Sequence, residues 1–146
     1  MLKDLHSNVR TKTVIYPVAI GANATKTGTV IDRQGYRGVE FIVAYGAVTT
    51  TGTVVTLVVK EGDVTGTLTS VADADLLGTE ALAGLAAATP RTSGSTKEVT
   101  KRVGYRGTKR YVSVDAVSTG VTSVGCVCVT ALLNNPVGIS APVDNP

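Results

Sequence analysis

Arg33-Gln-Gly-Tyr-Arg-Gly-Val-Glu-Phe-Ile-Val-Ala-Tyr45 and Arg102-Val-Gly-Tyr-Arg-Gly-Thr-Lys-Arg-Tyr-Val-Ser-Val114 share the block Arg-x-Gly-Tyr-Arg-Gly, and in both a β-like run follows it. Sliding the chain by 69 positions without gaps aligns Val30–Val58 with Val99–Val127, and Val43, Ala47, Val48, Val55 and Val58 also match their partners. An internal repeat of this length points to architecture before function. It predicts two related units of strand, corner, strand, turn and strand, with Val39–Tyr45 holding the place in one half that Thr108–Val114 holds in the other.

Around these blocks the chain alternates as half-buried strands do. In Val39–Tyr45, the positions Val39, Phe41, Val43 and Tyr45 share one face, and that face is expected to be buried. Thr53–Glu61 and Val121–Leu132 are nearly continuous apolar runs, the mark of strands central to a sandwich or touching a partner. Thr13–Val18, closed by Pro17, and Thr27–Arg33 supply earlier strands, and Thr96–Val103 and Lys109–Ala116 supply later ones. Turns are expected at Gly21–Asn23, Thr49–Gly52 and Gly62–Gly66. Gly78 and Gly84 interrupt the Ala/Leu-rich stretch Asp73–Ala88, so short helical turns or a loop are expected there. Thr89–Ser95 reads as a surface connector.

Composition agrees. In 146 residues there is no Trp and a single Phe, and only 17% of residues are charged, while β-branched Val and Thr abound. Such residues suit a pleated surface. The fold class is all-β: a two-sheet antiparallel sandwich, with the doubled Greek key of a jelly roll. One domain is expected at 13–133, with extended arms at 1–12 and 134–146. Pro136, Pro142 and Pro146 should keep the second arm out of the sheet centre.

The residues exclude several kinds of chemistry. The only histidine, His6, lies in the leader, so a serine or cysteine nucleophile has no well-placed base. Cys126 and Cys128 lack further ligands for zinc, and at i, i+2 on a strand they are too far apart for an unstrained disulfide, so they are expected to be buried and reduced. The acid pairs Asp73/Asp75 and Glu61/Asp63 fall in turn-like sequence and read as caps or Asx turns. No phosphate-cradling glycine motif is present. No enzyme activity and no cofactor or metal is expected. Nor does the sequence contain an apolar run of membrane-spanning length or a secretion signal.

A net charge of +3 is too weak for a nucleic-acid footprint. The basic residues concentrate in Arg91–Arg110, where Arg91, Lys97, Lys101, Arg102, Arg106, Lys109 and Arg110 face the single acid Glu98. That stretch is a solvated strand pair, a docking face for an acidic protein or a contact surface for phosphates. Tyr36, Arg37, Tyr105 and Arg106 likewise have two readings. In one, the tyrosines cap the core at corners and reach backbone carbonyls; in the other, they and the arginines are interface anchors. The candidate interface is Tyr36, Arg37, Tyr105, Arg106, Lys101, Arg102, Lys109 and Arg110.

Val30-Ile-Asp-Arg-Gln-Gly-Tyr-Arg-Gly-Val-Glu-Phe-Ile-Val-Ala-Tyr-Gly-Ala, Val71-Ala-Asp-Ala-Asp-Leu-Leu-Gly-Thr and Gly104-Tyr-Arg-Gly-Thr-Lys-Arg-Tyr-Val-Ser-Val together resemble the capsid cement or decoration proteins of tailed phages. That resemblance implies a small β-sandwich or jelly roll, a homodimer or homotrimer, on the outside of an icosahedral head assembled in the host cytoplasm. Its partner would be the major capsid protein, whose capsomers it would bridge, with neither nucleic acid nor membrane bound. The competing expectations are another virion part, such as a head-tail connector or tail protein, and a glycan-binding jelly roll.

Overall fold

A sheet of β-branched strands must bury one face against another layer, and the computed structural model packs two sheets together. It describes residues 5–48, 52–87, 99–121 and 125–137. The strands are β1 (Val9–Ile20), β2 (Thr25–Lys26), β3 (Ile31–Asp32), β4 (Tyr36–Tyr45), β5 (Thr53–Val64), β6 (Thr67–Ser70), β7 (Leu76–Leu77), β8 (Leu85–Ala87), β9 (Val99–Tyr105), β10 (Tyr111–Thr119) and β11 (Gly125–Pro136). A 3-10 turn at Asp73–Asp75 and the four-residue helix α1 (Glu80–Ala83) fill the middle, as its glycines foretold.

The first sheet runs β1-β11-β4-β9-β7 and the second β2-β10-β5-β6, with β3 also on β10 and β8 also on β5. The chain is therefore one long hairpin, with β1 beside β11, β2 and β3 beside β10, β4 beside β9, and β5 beside β6. Rolling that hairpin up adds the antiparallel pairs β4 with β11 and β5 with β10. This is the jelly roll, and it is all antiparallel, as expected.

Val39, Phe41, Val43 and Tyr45 of β4 are all buried, as the alternation predicted. They meet Val55, Leu57 and Val59 of β5, Val112, Val114 and Ala116 of β10 and Val127, Val129, Ala131 and Leu133 of β11 in one apolar cluster. Each Val, Leu or Phe among them contributes about 1.5–3 kcal/mol by leaving water.

The two repeat units occupy matching places. β3-β4-β5 passes from second sheet to first to second, and β9-β10-β11 from first to second to first. Both Gly-Tyr-Arg-Gly blocks therefore mark a crossing between sheets. They do so differently: Tyr36 opens β4, whereas Tyr105 closes β9. The ungapped register also fails in the last strand of the repeat. It aligns buried Leu57 with Cys126, which is exposed, while Val127 and Val129 are buried. A slip of one residue turns every side chain to the opposite face, so the two halves differ by one position there.

The strands also extend beyond the expected limits at both ends. Val9–Lys12, expected in the leading arm, pairs with Ala131–Asn134. Asn134 and Pro136 pair with Gly38 and Tyr36, so the start of the expected tail belongs to a central strand. Proline is tolerated because Pro136 is the strand's last residue. Pro17 lies inside β1, where the register breaks between Ile15 and Val18 and an edge strand absorbs the lost donor. The Thr49–Thr51 part of the expected turn, the Thr89–Ser95 connector, residues 1–4 and the tail beyond Val137 lie outside the described residues.

Candidate protein interface

Tyr105 is the centre of the corner built by the second block. It is 1% exposed. Its hydroxyl donates to the Glu61 carboxylate on the other sheet and accepts the Lys109 backbone N–H at 3.0 Å. The guanidinium of Arg33 lies 5.2 Å from the ring centroid and donates through Nε to the Lys109 carbonyl. Burial, with the hydrogen bond to Glu61 behind it, pushes the Tyr105 phenol far above its ordinary range. Gly107 is required here because a Cβ would stand 2.6 Å from the Tyr105 ring.

The expected capping role holds for Tyr105, but its hydroxyl reaches a carboxylate. Tyr45 is the tyrosine that reaches a carbonyl, donating to Ala83 at 2.9 Å from a buried position. Tyr36 is half-buried at the other corner, where it packs on the core's margin.

The basic residues are already engaged. Arg110 grips Asp32 with two hydrogen bonds, 3.0 and 2.7 Å, and lies over the Tyr111 ring at 5.0 Å. That grip holds the Asp32 carboxyl below its usual range. Lys109 pairs with Asp63 at 2.6 Å, which raises the ammonium's pKa. Arg102 faces Glu40 at 3.7 Å, although burial still drives the Glu40 carboxyl upward. Lys101 turns inward to the Gly84 carbonyl, and Arg106 donates to the Ala74 carbonyl at 3.0 Å. All five described bases of the stretch thus have partners inside the chain. Arg37 is exposed, and among the described residues its side chain has no hydrogen bond or ion pair. Arg91, Lys97 and Glu98 lie outside the described residues.

Glu61 and Asp63 are on β5 and accept from Tyr105 and Lys109, so they form no turn. Cys126 is exposed and Cys128 half-buried, both on the outer face of β11, which corrects the expectation of buried thiols. An apolar run on a strand presents half its residues outward, and these are the outward half. Among the described residues, no three His, Cys, Asp or Glu gather as metal ligands. No described helix is long and apolar enough to cross a membrane.

Sequence reading missed a polar strap. Residues 22–32 run along the edge of β10, pairing with it as β2 and β3, and bond to its buried residues Ser113, Asp115 and Ser118. Asp115 accepts the Gly28 N–H at 3.1 Å and pairs with Lys60 at 2.6 Å, while Ser113 donates to the Gly28 carbonyl at 2.9 Å. Ser118 donates to the Ala24 carbonyl at 3.0 Å. The alternation of Ser113 and Asp115 with Val112 and Val114 was visible, but it reads equally as a solvated face.

The strap also walls a groove of about 860 Å³ against the edge strand β1, lined by Arg10, Lys12, Thr13, Tyr16, Thr29 and Asp32 among others. Tyr16 is 70% exposed there. The Nε of Arg10 is buried with no hydrogen-bond partner.

Neither a protein-family model nor a curated protein matches the chain. Among solved structures, the PBSX exported protein XepA is similar over 93% of this chain at 15% identity and a TM-score of 0.53. The chain spans 41% of that XepA chain. Infectious bursal disease virus Gx strain (12% identity, 89% of this chain and 32% of that one, TM-score 0.48) and the capsid of Helicobacter pylori bacteriophage KHP30 (11%, 86% and 92%, 0.44) also match. At such identities the likeness to XepA is one of fold, and it agrees with the two-sheet sandwich derived from the strand pairing.

Proposed function

We propose that this chain is a non-enzymatic structural protein of a phage particle, and more specifically a cement protein bound as a homodimer or homotrimer to the outer surface of the head. The observation that carries the reading is the economy of the jelly roll. Its described basic stretch, its buried acid and its corner tyrosines are all spent on holding strands together, which suits a part whose work is mechanical. The resemblance of its sequence blocks to cement proteins supports the same reading. The major capsid protein is the partner this role requires.

The test is to mix the protein with undecorated capsids. Saturable binding in hundreds of copies, with a rise in the temperature at which the shell opens, is the expected result. Binding of about a dozen copies would instead indicate a connector or tail part, and no binding would reject the virion reading. A glycan-binding module has weaker footing, because Tyr45 and Tyr105 are buried and Tyr36 and Tyr111 half-buried, leaving Tyr16 as the exposed ring.

A further inference from the structure

The structure assigns a docking site to the groove between β1 and the strap, and its occupant is an extended acidic segment of a partner protein. Three observations lead there. The first is charge. The described cations of the basic stretch are already neutralised or hydrogen-bonded within the chain, whereas Arg10 and Lys12 line this groove with no ion pair among the described residues. The one lining acid, Asp32, is held by Arg110. The groove therefore presents net positive charge that the fold does not use.

The second is an unmet hydrogen bond. Arg10 Nε is buried and has no acceptor. A buried donor without a partner is costly, and a charged one more so. A carboxylate in the groove meets the outer Nη groups of the same planar guanidinium, with a charge-assisted bond that is stronger than a neutral one and that draws charge from the unmet Nε.

The third is shape. β1 is the edge strand of its sheet, and because the Val14 carbonyl already accepts the Thr29 N–H, the line of backbone left open beside the groove is Arg10–Thr13, roughly 13 Å long at 3.3 Å per residue. An extended peptide of roughly four to six residues spans that line, and adding a strand to an exposed edge is a recurrent mode of recognition. Tyr16, exposed in the same groove beyond Val14, has the ring area that anchors such contacts. An acidic peptide is favoured over an acidic sugar because the edge strand rewards a polypeptide backbone and a single exposed ring gives a sugar little to stack on.

Naming the partner as a capsid subunit rests on the reading above; the groove's preference for acidic peptide does not. Calorimetric titration of the whole chain at low salt with a capped hexapeptide of alternating threonine and glutamate tests it. One-to-one binding that weakens with salt is expected, reduced about tenfold in Arg10→Ala and several-fold in Tyr16→Ala. The thermal midpoint of free Arg10→Ala should be no lower than that of the parent, since an unpaired buried donor has been removed. Equal binding by parent and Arg10→Ala, absence of binding at millimolar peptide, or tighter binding of tetragalacturonate than of peptide would each overturn the proposal. Peptide binding together with failure on capsids would reject the virion reading and leave the site standing.

Discussion

Tyr105 on β9 and Glu61 on β5 join the two sheets through one hydrogen bond, with the phenol donating to the carboxylate from a buried ring. The same phenol oxygen receives the Lys109 N–H, so the corner after β9 depends on it. Tyr105→Phe leaves an acceptor and a donor unmet and should lower stability by about 1–3 kcal/mol in a denaturant titration. A loss under 0.5 kcal/mol would show that water replaces the hydroxyl.

The same burial makes an alkaline prediction. Tyr45 and Tyr105 both have phenols raised well above the ordinary value of 10.0. A raised folded-state pKa means stability that is full below the unfolded value and is lost as pH rises through the folded one. In an absorbance titration, two of the five tyrosines should stay protonated until the protein unfolds.

Gly28 is held between Val114 and Val14, and a Cβ there would lie 2.2 Å from the Val114 carbonyl oxygen. Backbone cannot yield as a side-chain tip does, so Gly28→Ala should cost about 2–4 kcal/mol, whereas Gly66→Ala, with open space around it, should be near neutral. Asp115→Ala, which strips Lys60 and the Gly28 N–H of their acceptor, should also cost about 2–4 kcal/mol. Thermal melts of the three variants check the strap, and a mild Gly28→Ala would mean that the strap lifts freely.

Two carboxylates have opposite effects on acid stability. Asp32 is depressed below 3.8 by Arg110, so its contribution is present above that value and is lost as pH falls through the folded pKa. Glu40 is raised above 4.5 by burial, so its contribution is full below that value and is lost as pH rises through the folded pKa. Asp32→Asn should therefore flatten the acid limb of a stability-pH curve, and Glu40→Gln should stabilise the protein near neutrality but not at pH 3. Identical limbs in parent and Asp32→Asn would exclude the Arg110 pair as a source of acid sensitivity.

Cys126 is exposed on the outer face of β11 and Cys128 is half-buried beside it. In the native protein an aromatic disulfide reagent should modify Cys126 first and Cys128 more slowly, as mass spectrometry of the digested chain would show. Modification only after unfolding would place this face under a cover, such as a second copy of the chain.

The middles of most strands could be read along the chain, because β-branched runs and turn residues act locally and need no knowledge of partners, whereas strand ends could not. The buried face of Val39–Tyr45 and the short turns around Gly78 and Gly84 were legible for the same reason. So were the two crossings marked by Gly-Tyr-Arg-Gly, since the repeat supplies its own comparison. Tertiary structure alone decided which cations are spent. Lys101, Arg102, Arg106, Lys109 and Arg110 look like one basic patch along the chain, but their partners Gly84, Glu40, Ala74, Asp63 and Asp32 come from other elements. It also decided the face of the cysteines, because the one-residue slip between halves is a matter of strand pairing. Finally, it made Ser113 and Asp115 interior, because a strap from 85 or more residues away in sequence covers them. A pattern of alternating polarity reports only that a strand has two different faces; what lies against the polar one depends on where the rest of the chain is folded.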